Sequence, residues 1–222
     1  MLSVRKSGIL LHPTSLPGTF GIGDLGPGAC AFVDMLDAAG QRVWQMLPLG
    51  HISYGNSPYM CVSAFAGNPF LISPEGLRED GLLSETDLSD IPQFPAGRVD
   101  YPAVLPYKMY LLEKAYERFR RLGADALPEY EKFCRDNAFW LDEYALFVAL
   151  KEHHGGRPWT QWESEFALRD RGTLERCRRE MADEIGFWKF VQYEFFSQWL
   201  RVKRYCHEKE VTVIGDMPIY VA

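Results

Sequence analysis

The chain has 222 residues, 47% of them apolar, 24% charged and 14% aromatic, with a formal charge of −6 and a pI near 5.4. That length and apolar content suffice to bury a core, while the acidic balance argues against nucleic acid or anionic lipid as partners, because polyanions are bound by clustered basic surface. No stretch approaches the roughly 18 apolar residues of a membrane span and the start carries no signal peptide, so the expected location is cytoplasmic; five cysteines without a C-x-x-C pair are read as reduced thiols, with no metal implied.

The first apolar run, SGILLH at 7–12, is cut off by Pro13, and RVWQML at 42–47 is cut off by Pro48; both have the length and flanks of buried strands. Between them Ala29, Phe32, Val33, Leu36 and Ala39 recur at helical spacing and Gly40 supplies the stop, so 28–39 is predicted helical. Strand, helix, strand is the repeat of parallel α/β folds. A long, mostly helical excursion follows. Helices are predicted over 107–122, 140–150 and 187–207, the last carrying Trp188, Val191, Phe195, Trp199, Val202 and Tyr205 as a stripe expected to pack on the sheet it leads into. The proline-punctuated 92–106 reads as an extended surface loop. VTVIG at 211–215 is the next strand.

Residues 51–72 hold two tyrosines, two asparagines and three serines in a run punctuated by Gly and Pro. Such a loop suits presenting rings and hydrogen-bonding groups to a neutral, polyhydroxylated ligand. Tyr59 follows Pro58, so its ring is placed by a stiffened backbone and is free either to stack on a sugar or to pack inward. Asp216 comes directly after the 211–215 strand, where barrel enzymes place working groups, though an acid capping the next loop would sit there too. His12 ends the first strand, as a satisfied core histidine or as a group facing the site. His153 and His154 read as a surface helix terminus. GIGDLG at 21–26 matches the dinucleotide fingerprint G-x-G-x-x-G, but eight residues with two prolines separate it from the preceding strand, so it reads as a turn into the helix rather than as an oxidoreductase site. Arg176, Arg178 and Arg179 stand among acids, the pattern of a solvated helix face.

Segments along the whole chain resemble the amylomaltases, bacterial 4-α-glucanotransferases: GILLHPTSLPG at 8–18, GIGDLG at 21–26, WQMLPL at 44–49, YGNSPY at 54–59, SAFAGNP at 63–69, RVDY at 98–101 and GDMPIYVA at 215–222. The resemblance implies an α/β fold containing the first strands of an α-amylase-type (β/α)8 TIM barrel with a large, mostly helical insertion, the barrel being incomplete in this chain. The expected division is 1–49 as the first βαβ unit, 50–185 as substrate loop and helical insertion, and 186–222 as a barrel helix and the next strand. The implied function is transfer of α-1,4-glucan segments between maltooligosaccharides by retaining double displacement, with no metal or organic cofactor. Carried over by position, Tyr59 matches the tyrosine at the donor subsite, Asp216 matches the aspartate of the first amylase-type region that holds the sugar and shapes the site, Asn56 and Ser57 border the acceptor side, and Tyr54 and Tyr101 match a pair that stacks a second glucan. Met60 stands where glutamine is usual and Asn56 where aspartate is common. The nucleophile and acid/base of the family match no residue of this chain, so the chain alone is expected to be inactive, and its unclosed sheet to favour aggregation. The alternative is a non-catalytic glucan-binding module of the same ancestry.

Overall fold

The structure is a computed structural model that describes residues 5–221; Ala222, the end of the GDMPIYVA segment, lies outside them. The chain divides into two compact units, one comprising the described residues up to Leu122 together with those from Glu194, the other Gly123–Tyr193. In chain order the regular elements are β1 (Gly8–Leu10), α1 (Pro27–Ala38), β2 (Val43–Gln45), β3 (Met60–Cys61), α2 (Pro74–Glu79), α3 (Tyr101–Arg121), α4 (Pro128–Asp136), α5 (Ala138–His153), α6 (Ser164–Ala167), α7 (Arg171–Glu180), α8 (Ala182–Glu208), β4 (Thr212–Ile214) and β5 (Tyr220–Val221).

In the first unit β1, β2 and β4 form a parallel sheet in that order, with Ile9, Trp44 and Val213 in one register row and Leu10, Gln45 and Ile214 in the next. Alternation along a strand sends these rows to opposite faces. The Trp44 row is covered: Trp44 is fully buried, its ring meets Phe32 of α1 edge-on at 4.9 Å, and its indole N–H donates to the Leu11 carbonyl at 2.8 Å. The other row is open, with Leu10 54% and Ile214 38% exposed. A second parallel pairing, β3 with β5, joins the 51–72 loop to the segment after β4.

Two sequence expectations change here. The extended loop at 92–106 ends early, because α3 starts at Tyr101; Pro102 lies in its first turn, where a missing N–H costs nothing. The aromatic stripe of α8 does not serve the sheet alone. Trp188 lies in the second unit, donating to Glu152 at 2.9 Å and packing edge-on against Tyr144, while Phe195 in the first unit lies over Gly67, where an added Cβ would come within 2.0 Å of its ring.

The second unit is helical and closes on its own core of Leu146, Leu150, Trp162, Leu174 and Cys177. His154, expected at the surface, is buried in it. Its ring stacks on Trp162 at 4.6 Å and bonds the Leu150 carbonyl and the Glu163 carboxylate, because Gly155 and Gly156 turn the chain back over the end of α5. All five cysteines are free thiols, as expected. No helix among the described residues is long and apolar enough to cross a membrane.

Candidate functional site

The 51–72 loop is shaped by its own hydrogen bonds. Ser53 pairs with Met60, its N–H donating to the Met60 carbonyl at 3.0 Å, and Ile52 bridges Cys61, which closes the tip between them. At the tip Gly55 and Asn56 both have positive φ, 73° and 55°. Asn enters that left-handed region more readily than most residues, a physical reason for an asparagine here. Ser57 then turns the chain: its hydroxyl accepts from the Tyr59 N–H at 3.3 Å and its carbonyl from the Met60 N–H at 3.1 Å. This is the local side-chain-to-backbone motif that favours Ser in turns.

Tyr59 is thereby delivered to Asp216, 157 positions away, and its phenol O–H donates to Asp216 Oδ2 at 2.8 Å. The other carboxylate oxygen, Oδ1, accepts from the Met217 N–H at 2.8 Å, and the Tyr220 N–H donates to the Tyr59 carbonyl at 3.1 Å. Backbone and side chain therefore both tie the loop to the end of β4. Donating to a carboxylate disfavours loss of the phenol proton, and the Tyr59 hydroxyl is accordingly held above its ordinary value, chiefly by this bond. The bond is exposed and fixes the hydroxyl end of the half-buried Tyr59 ring.

Of the other residues singled out by sequence, Tyr54 is 85% exposed and Tyr101 opens α3. Tyr101 lines a cleft of about 720 Å³ with Thr14, Thr19, Phe94 and Arg98; Tyr54 is not part of it, and no ring contact joins the two tyrosines among the described residues. His12 is a satisfied histidine. Its Nδ1 accepts from the Thr14 N–H, its Nε2 lies 3.2 Å from the Pro48 carbonyl, and burial pushes its proton affinity down.

GIGDLG is structural. A Cβ on Gly23 would lie 2.1 Å from the Pro13 carbonyl oxygen, and Asp24 accepts from the Gly26 N–H at 3.0 Å while pairing at 3.2 Å with Lys108 of α3. Lys108 is buried, which pushes its amine down, and Asp24 opposes that by favouring the charged form. Sequence reasoning missed this pair, because a lysine in an amphipathic helix reads as surface.

Comparison with known proteins identifies the family. A family model described as 4-alpha-glucanotransferase, glycoside hydrolase family 77, matches residues 11–222. The 4-alpha-glucanotransferase of Synechocystis is 46% identical over the whole chain and that of Thermus thermophilus 43% identical over 98% of it. Among solved structures, an amylomaltase from Streptococcus agalactiae in complex with acarbose superposes with a TM-score of 0.92 at 37% identity, covering 99% of this chain and 44% of that one. The chain spans less than half the length of these relatives, 44% and 43% of the two named proteins. A parallel-sheet fold with extensive helix, matching a solved amylomaltase, and a family model that covers nearly all of the sequence make this chain a member of the 4-alpha-glucanotransferase family.

Proposed function

We propose that this chain supplies the donor-side sugar platform of a 4-α-glucanotransferase acting on maltooligosaccharides or α-1,4-glucans. The observation that carries this reading is the Tyr59–Asp216 hydrogen bond, which unites the tyrosine that the resemblance assigns to the donor subsite with the aspartate it assigns to holding the sugar. The fixed ring stacks on the apolar face of a glucose unit, and Asn56, whose side chain makes no hydrogen bond among the described residues, lies beside it on the acceptor side with Ser57. Ser57 has a second task in holding the turn. Tyr54 and Tyr101 serve a separate glucan contact, each from its own element. In the family scheme an aspartate forms a glucosyl intermediate, a glutamate acts as acid and then base with the two carboxyls about 5–5.5 Å apart, and an acceptor 4-hydroxyl intercepts the intermediate ahead of water.

Neither carboxylate role falls on a residue of this chain, and we infer that it binds glucan without turning it over. The open row of Leu10, Gln45 and Ile214 and the terminal positions of β1 and β4 in the sheet support further β/α units completing a barrel, since parallel sheets are ordinarily covered on both faces. In that barrel 1–49 and 186–222 provide strands and 50–185 the loop and helical insertion. Incubating the purified chain with maltotriose and measuring released glucose tests this. No release above a protein-free control is expected, and steady turnover would overturn it.

A further inference from the structure

Away from Tyr59, at the opposite ends of the same strands, the first unit has a cleft of about 830 Å³. The residues preceding β1, the start of β2, the start of β4 and the last turns of α8 converge there, bringing Arg5, Lys6, Arg42, Lys203 and His207 to its walls with the hydroxyl-bearing Ser7 and Thr212. Glu210 is the one carboxylate in the lining. In a chain of net charge −6 this is a local reversal of sign, and concave walls concentrate such a field.

The cations are also unequally committed. Arg42 is anchored through one nitrogen, Nη1, which donates to Asp37 at 2.6 Å and to the Lys209 carbonyl at 3.2 Å, leaving Nε and Nη2 as unshared donors among the described residues. Among the described residues Lys6 reaches only the Thr212 hydroxyl, at 3.4 Å. Arg5, Lys203 and His207 make no ion pair among the described residues. A smaller basic cleft of the same unit behaves differently, because its Lys114 and Arg121 are matched by Asp87 and Glu117. Uncompensated like charge in one concavity is unfavourable unless an anion is supplied, and a guanidinium fork beside hydroxyls matches a tetrahedral oxyanion. The volume accommodates more than the oxyanion alone.

We propose that this cleft binds a small phosphomonoester anion, held by Arg42 with Arg5, Lys6 and Lys203 and by the Thr212 hydroxyl. The ligand is chemically unlike the neutral glucan, so the cleft is a second site independent of Tyr59. Melting of the chain, followed with inorganic phosphate and separately with glucose 6-phosphate at ionic strength held constant with sodium chloride, tests it. Both are expected to raise the melting temperature saturably, with apparent affinity reduced about tenfold or more in Arg5→Gln/Lys203→Gln and unchanged in the paired-cluster variant Arg118→Gln/Arg121→Gln. Tighter binding of glucose 6-phosphate would assign the site to a sugar phosphate, and equal binding to free phosphate. The 31P linewidth, read on Lys203→Gln alone, repeats the test without relying on unfolding. The proposal is overturned if sodium chloride reproduces the shift, if the Arg5/Lys203 variant binds as the native chain does, or if a short oligonucleotide displaces phosphate and binds more tightly.

Discussion

The helical unit Gly123–Tyr193 and the sheet unit place their polar groups in different environments. In the helical unit the Arg and Lys ion pairs lie at the surface, where Arg169 and Arg178 share Glu143 and Lys189 meets Asp142, while the buried His154 is bonded at both ring nitrogens. In the sheet unit the consequential polar groups are inside, with Lys108 on Asp24 and with Glu194 buried, one of its carboxyl oxygens lacking a partner among the described residues. Both units bury polar groups that patterning places at the surface, but those of the sheet unit, which carries the candidate site, are a lysine and a carboxyl in place of an imidazole.

The sharpest way to break this contrast is through the sheet unit's backbone. Gly23→Ala would drive a Cβ against the Pro13 and Leu16 carbonyl oxygens, at 2.1 and 2.6 Å, and neither can swing aside. A loss of about 3 kcal/mol is expected by denaturant titration. Lys108→Met comes next. It leaves Asp24 with the Gly26 N–H as its remaining partner among the described residues, and removing one member of a buried pair costs about 3 kcal/mol. Adding Asp24→Asn should recover part of that loss, and a full additive penalty would show that the two groups are not coupled.

Glu194 gives a pH signature. Burial, together with Asp80 nearby, raises its carboxyl to about 8, opposed by Arg201. The folded state therefore holds a proton that the unfolded chain releases near its ordinary value. Stability from this group is fully present at acid pH, declines between the unfolded value and about 8, and is level above that. The slope is at most about 1.4 kcal/mol per pH unit. Glu194→Gln should abolish it and raise the melting temperature at pH 8.5; an unchanged pH profile would remove Glu194 from this role. Smallest is Arg178→Gln in the helical unit, expected to cost no more than about 0.5 kcal/mol as an exposed pair.

Much of the frame was legible in the sequence. The strands ending at Pro13 and Pro48 and the helix between them follow from periodicity and punctuation, because each is decided by residues close together in the chain. The turn reading of GIGDLG was right for a reason the sequence lacks, the close approach of Pro13 to Gly23. The start of α3 was missed because Pro102 signals a loop and a first helical turn equally well. His154 was placed at the surface because nothing local announces that Trp162 will fold over it. Tyr59 and Asp216 were each singled out as candidates by loop composition, strand position and resemblance, but their bond spans 157 positions and depends on β3 pairing with β5, strands of two residues each that carry almost no periodic signal.

The central claim is that Asp216 holds Tyr59 as the platform for a glucan. Calorimetric titration of maltoheptaose into the native chain, Tyr59→Phe and Asp216→Asn tests it most directly. The native chain should bind saturably. Both variants should bind about tenfold more weakly, the loss expected for one charge-assisted hydrogen bond, with melting temperatures unchanged because the pair is exposed. Equal affinity in all three proteins would contradict the claim.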